Sequence, residues 1–139
     1  MYQANIDALI AGWNQGNFDG MDKFMAENTV RKAPASLNSD ANNLSELKQV
    51  ITDFRTSFPD AKVTITHVTF QGDRSYAQWT FEGTNTGPGD FPPTGKSVSI
   101  QGASHAKYAE GKMVEELVFF DAMDMMGQLG LVPDPSAGS

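Results

Sequence analysis

The hydrophobic pattern changes period once, at Pro59, and that change limits what the chain can fold into. Before it, apolar residues recur at helical spacing; beyond it, they alternate. Ile6, Leu9, Ile10 and Trp13 fall at i, i+3, i+4 and i+7, which predicts an amphipathic helix over 3–14, ended by Asn14-Gln15-Gly16-Asn17. A shorter helix over 19–27 carries Met21, Phe24 and Met25, and residues 28–42 read as an irregular loop. Leu47, Val50, Ile51, Phe54 and Phe58 share one face of a third helix, with Asn43-Leu44-Ser45-Glu46 as a capping box and Pro59 as its stop. Four strands follow. Lys62–Phe70 and Ser75–Thr84 are joined by the turn Gln71-Gly72-Asp73-Arg74, and Lys96–Tyr108 and Met113–Phe120 by Ala109-Glu110-Gly111-Lys112. Between the pairs, residues 85–95 hold three prolines and three glycines around Phe91 and form a loop. A last helix over 122–129 is capped by Asp121 and ended by Gly130, and 133–139 is a flexible tail. Helices first and hairpin-linked strands after predict a single α+β domain over 1–132, with a mostly antiparallel four-stranded sheet. Such a sheet, strongly twisted, curls around an amphipathic helix and leaves a cavity at its open end.

Composition removes whole classes of function. There is no cysteine, so disulfides, thiolate chemistry and cysteine metal sites are excluded, and two histidines make a histidine metal centre a poor expectation. Ten basic against 17 acidic residues give a net charge of −7, a field that repels phosphate backbones, so no nucleic-acid partner is expected. No run of apolar residues is long enough for a membrane span, and the first residues show no secretory pattern, so a cytoplasmic location and no membrane partner are expected. No phosphate-cradling glycine loop or serine–histidine–acid motif is present.

Several segments, in order and spacing, resemble the SnoaL-like polyketide cyclase and ester cyclase family, within the nuclear transport factor 2-like superfamily. They are Phe58-Pro59-Asp60; Gly72-Asp73-Arg74 with Trp79 and Gly83-Thr84-Asn85-Thr86-Gly87; Pro92-Pro93-Thr94-Gly95-Lys96; and Gly111-Lys112-Met113-Val114-Glu115-Glu116, continuing to Asp121 and Gln128-Leu129-Gly130. The resemblance implies a conical α+β barrel open at one end, usually dimeric through the outer face of its sheet. It also implies a cyclase that closes a ring by an intramolecular aldol step without metal or cofactor, using an aspartate on the last strand as acid and base. The same cone houses isomerases, epoxide hydrolases, dehydratases and non-enzymatic binders.

Here the family's aspartate position is Val118, which cannot transfer a proton. The family's other pocket positions fall on Trp13, Val50, Gly102 and Ser104, and Gln78 stands where relatives often carry arginine. If Val118 faces the cavity, strand alternation places Val114, Glu116 and Phe120 on the same side, with Ile100, Gly102, Ser104 and Ala106 beside them. The expected lining is therefore Trp13, Met25, Val50, Phe54, Gln78, Phe91, Ile100, Gly102, Ser104, Val118 and Phe120. Glu116 is then the one ionisable group on the cavity side of the last strand. It is either a desolvated general base or a rim residue paired with Lys112 or Arg74. Asp121 reads as a helix cap, His105 faces away from the cavity, His67 faces either way if a bulge intervenes, and Phe91 is a lid or a loop anchor. The functions that follow are a cofactor-independent cyclase, isomerase or hydrolase acting on a small apolar molecule, a non-catalytic small-molecule binder, or a homodimeric assembly protein.

Overall fold

The structure, a computed structural model, describes residues 2–34, 39–89 and 92–131. Along the chain run α1 (Gln3–Gln15), α2 (Asp19–Phe24), β1 (Met25–Lys32), α3 (Leu44–Ser57), β2 (Lys62–Gln71), β3 (Arg74–Thr84), β4 (Ser97–Ala109), β5 (Lys112–Phe120) and α4 (Ala122–Leu129). The strands form one curved, unclosed sheet in the order β1-β5-β4-β3-β2, antiparallel except that β1 runs parallel to β5. The α+β class is as expected, but the sheet has five strands rather than four. The extra one, β1, occupies the segment expected to finish a helix and begin a loop. Past Met25 its buried positions are Thr29 and Arg31, so the apolar alternation that betrays a strand is missing.

The helices end where their chemistry ends them. Asn43 accepts a hydrogen bond from Glu46 N at 2.8 Å while the Glu46 carboxylate accepts from Asn42 N at 3.2 Å, which satisfies backbone donors that the first turn of α3 leaves free. Asp121 accepts from Asp124 N at 3.0 Å, which makes it the cap of α4, and Gly130 ends that helix in a left-handed conformation. Polar side chains also fasten helices to strands. Asn14 accepts from Val63 N and donates to Val63 O, behaving as one residue of a neighbouring strand against β2. Gln128 does the same to the backbone of Ser99, holding α4 against β4.

Two apolar clusters fill the concave side. One joins the N-terminal helices, through Leu9, Trp13, Met21, Leu47 and Ile51, to Tyr108 and Met113 of the sheet. The other gathers Phe58, Phe81, Ile100, Met125 and Leu129. Phe54 and Val63 touch both. The Phe54 ring packs edge-on to Trp13 at 5.5 Å and to Phe81 at 6.0 Å.

Replacing Asn43 with Ala should remove about 1 kcal/mol of stability by leaving backbone donors of α3 unsatisfied. Urea unfolding should show a lower midpoint with an unchanged slope.

Candidate active site

Between the two clusters lies a cavity of about 80 Å³. Its wall is apolar over most of its extent, with Ile6, Leu9, Trp13, Phe54, Val63 and Val118 among the residues that form it. The polar groups on its wall are those of Arg31, Ser75, Ser104 and Glu116 and the indoles of Trp13 and Trp79. A cavity of about 150 Å³ takes up benzene, so this one, at about half that volume, encloses only part of a ring-sized ligand.

Glu116 lies on β5 opposite Ala106 and is only 7% exposed. Its single partner among the described residues is Arg31 on β1, whose Nη1 stands 3.4 Å from Oε1. Burial pushes the Glu116 carboxyl above the ordinary carboxylate range, and the Arg31 charge opposes that rise without cancelling it. Arg31 is itself lowered by burial, but a guanidinium begins so far above neutrality that it stays charged. Three contacts hold it. Nε donates to Ser39 O at 2.9 Å, its guanidinium lies 5.5 Å over the Trp13 ring, and its backbone pairs with Ala41. The carboxylate is therefore neither at the rim nor paired with Lys112 or Arg74. Arg74 instead contacts His105 Nε2 at 3.0 Å, and His105 stacks on Tyr76. Sequence alone missed Arg31 because it falls in the segment taken for a loop.

Trp13, Phe54, Ile100, Ser104, Val118 and Phe120 stand around this cavity with Glu116. Four other expected lining residues stand elsewhere. Met25, which opens β1 and pairs with Met113 of β5, and Val50 of α3 are buried in the helical cluster and are not on the cavity wall. Gln78 points outward from β3 and is exposed. Gly102 is screened from the cavity by the Trp79 ring lying across it: a Cβ there would sit 2.2 Å from Trp79 Cζ2. Phe91 lies outside the described residues. Val114 does not share the face of Glu116. The register shifts where Lys107 pairs with Glu115 but Tyr108 pairs with Met113, so Val114 drops out of the ladder and Met113 takes the inward place. A second shift, between Ile65 and His67, leaves Val63 and Ile65 lining the cavity and His67 exposed on the other face.

A curved α+β sheet enclosing one apolar cavity with a buried carboxylate on its wall defines a class of small-molecule-binding domain. The chain belongs to the SnoaL-like polyketide cyclase family, whose model matches residues 4–129. No curated protein matches it in sequence. Among solved structures it resembles TsrD from Streptomyces laurentii, with a TM-score of 0.82 at 20% identity over 94% of this chain and 95% of that one. A protein from Jannaschia sp. CCS1 described as a candidate SnoaL-like polyketide cyclase gives a TM-score of 0.78 at 19% identity, covering 94% of each chain. A protein from Catenulispora acidiphila described as having a ketosteroid isomerase-like fold, in complex with trimethylamine, gives 0.76 at 14% identity over 91% of this chain and 92% of that one. Among the described residues no helix is long and apolar enough to cross a membrane.

The Glu116 carboxyl binds its proton more tightly in the folded chain than in the unfolded one. Its contribution to stability is therefore full at low pH and falls as pH rises from the ordinary value of 4.5 through the raised folded value. Wild-type protein should lose stability relative to Glu116→Gln across that window, measured as the difference in unfolding free energy at a series of pH values.

Proposed function

We propose that the protein is a cofactor-independent enzyme that moves a proton on a small apolar carbonyl compound, with Glu116 as the base. The observation that carries this is a carboxylate 7% exposed on an apolar cavity wall, its second oxygen without a partner among the described residues. A base in that setting is less hydrated than one in water, and its raised pKa brings it closer to the operating range of a general base. Arg31 keeps it ionised enough to accept a proton and fixes one oxygen, leaving the other for the substrate. The carboxylate takes a proton from the carbon beside the carbonyl, giving an enolate and a neutral acid. The enolate then either attacks a second carbonyl of the same molecule, closing a ring as the new alkoxide takes the proton from the neutral acid, or takes the proton back at another carbon, which isomerises it. Family membership and the relatives described as polyketide cyclases favour the first outcome, and the cavity's size favours a small reacting portion. The site is proposed to work within a homodimer formed through the outer sheet face, where Phe119 and Tyr76 are 51% and 41% exposed.

Isomerisation of 3-cyclohexen-1-one to its conjugated isomer, followed by ultraviolet absorbance, tests the base. Glu116→Gln should slow it by about 10²–10⁴-fold while the fold is retained, and Glu116→Asp should keep part of the rate. Equal rates for wild type and Glu116→Gln would remove the proposal.

The replacement of the family's aspartate by Val118 favours a second function, a non-catalytic binder of a small apolar molecule. That function retains ligand-dependent thermal stabilisation in both wild type and Glu116→Gln, with no turnover in either. Sedimentation at micromolar concentration should give a dimer, and Phe119→Asp should give a monomer.

A further inference from the structure

Four of the polar side chains on the cavity wall are engaged in ways that limit what else they do. Glu116 and Arg31 hold each other, Ser75 Oγ is shared with Tyr108 Oη at 2.9 Å, and the Trp79 indole donates its one N–H to Ser104 Oγ at 2.7 Å. Ser104 is the hydroxyl on this wall whose role in its bond is fixed, since either oxygen of the Ser75–Tyr108 pair could be the donor. Indole nitrogen only donates, so Ser104 must be the acceptor in that bond. A hydroxyl has one proton as well as its lone pairs, and the Ser104 proton has no acceptor among the described residues. It is half-buried on the cavity wall.

The arrangement that produces this is specific. Trp79 pairs directly across the ladder with Gly102, and its ring lies over the glycine, where any side chain would collide with it. Laid flat in that way, the ring places Nε1 against the next inward residue along β4, which is Ser104. On the same face Ser104 lies opposite Val118 and Ala106 opposite Glu116, so Ser104 and Glu116 are diagonal neighbours, about 7–8 Å apart between backbones. Side chains converging from such positions leave room for two adjacent carbons of one ligand, with a proton on the first and an oxygen on the second.

Resting on the proton-transfer function above, we propose that the Ser104 hydroxyl donates to the carbonyl oxygen of the substrate. Ser104 is thus a catalytic residue that stabilises the oxygen as it becomes an enolate. Trp79 is a positioning residue. By occupying one lone pair of Ser104 Oγ it turns the proton toward the cavity, so the donor is oriented before the ligand arrives. Gly102 serves only by giving the ring its seat.

The carbonyl stretch of 2-cyclohexen-1-one bound to the full chain, read by infrared difference spectroscopy, tests the donor without needing turnover. It should lie below its position in hexane for wild type and Glu116→Gln alike, and move back up in Ser104→Ala. Trp79→Phe keeps a ring but loses the N–H, and should broaden the band and shift it part of the way; Gly102→Ala, which displaces the ring, should do the same. Ser104→Ala should weaken binding of the enone about tenfold while leaving cyclohexene binding unchanged. With 3-cyclohexen-1-one it should lower kcat about 10²-fold and move KM less. A stretch unmoved by Ser104→Ala, or no saturable binding of the enone, overturns the donor. A shifted stretch together with equal rates in wild type and Glu116→Gln keeps the donor and removes the base, so the two failures are told apart.

Discussion

A guanidinium and a carboxylate cannot be taken out of water singly, and the concave side of this sheet has little water to offer. The Arg31–Glu116 contact meets that constraint, and much of the architecture serves it. Glu116 arrives on β5, Arg31 on the parallel edge strand β1, and Ser39 and Trp13 supply the further contacts that a buried guanidinium needs. At 3.4 Å the pair is loose. A tighter, two-pronged contact would neutralise the carboxylate's reactivity along with its charge. One long contact leaves the carboxylate desolvated, held in place and only partly satisfied.

Most of the fold was legible because its signals are local. Asn43 with Glu46, the change of period at Pro59, the glycines of the two hairpin turns and the Asp121 cap each act within a few residues, and each stands where its chemistry placed it. β1 was not legible, because its inward side chain is an arginine whose partner lies 85 positions away. A buried charge disguises a strand as a loop when only one half of the pair is in view. Parity along β5 led to Glu116 and Val118, but failed at Val114, because a bulge is a property of two strands together and leaves no mark on one.

The departure from the family pattern at Val118 takes on a definite geometry. Glu116 lies two residues earlier on the same face, about 7 Å along the strand, and carries one more methylene. On the proposed function, the acid group lies nearer the Met113 and Tyr108 end of the sheet than the position the family resemblance implies. Val118 is 2% exposed on the cavity wall and adds to the apolar surroundings of Glu116. The neighbours of Glu116 are Arg31, which contacts it, and Ser104, a diagonal neighbour on the same face.

The seating of Trp79 on Gly102 carries a consequence for how such a chain varies over time. Positions 79 and 102 act as one choice made at two places. A side chain gained first at 102 drives into the ring; a ring lost first at 79 leaves a hollow over bare backbone. Either single step passes through an overfilled or an empty wall, so the two positions are expected to change together or not at all.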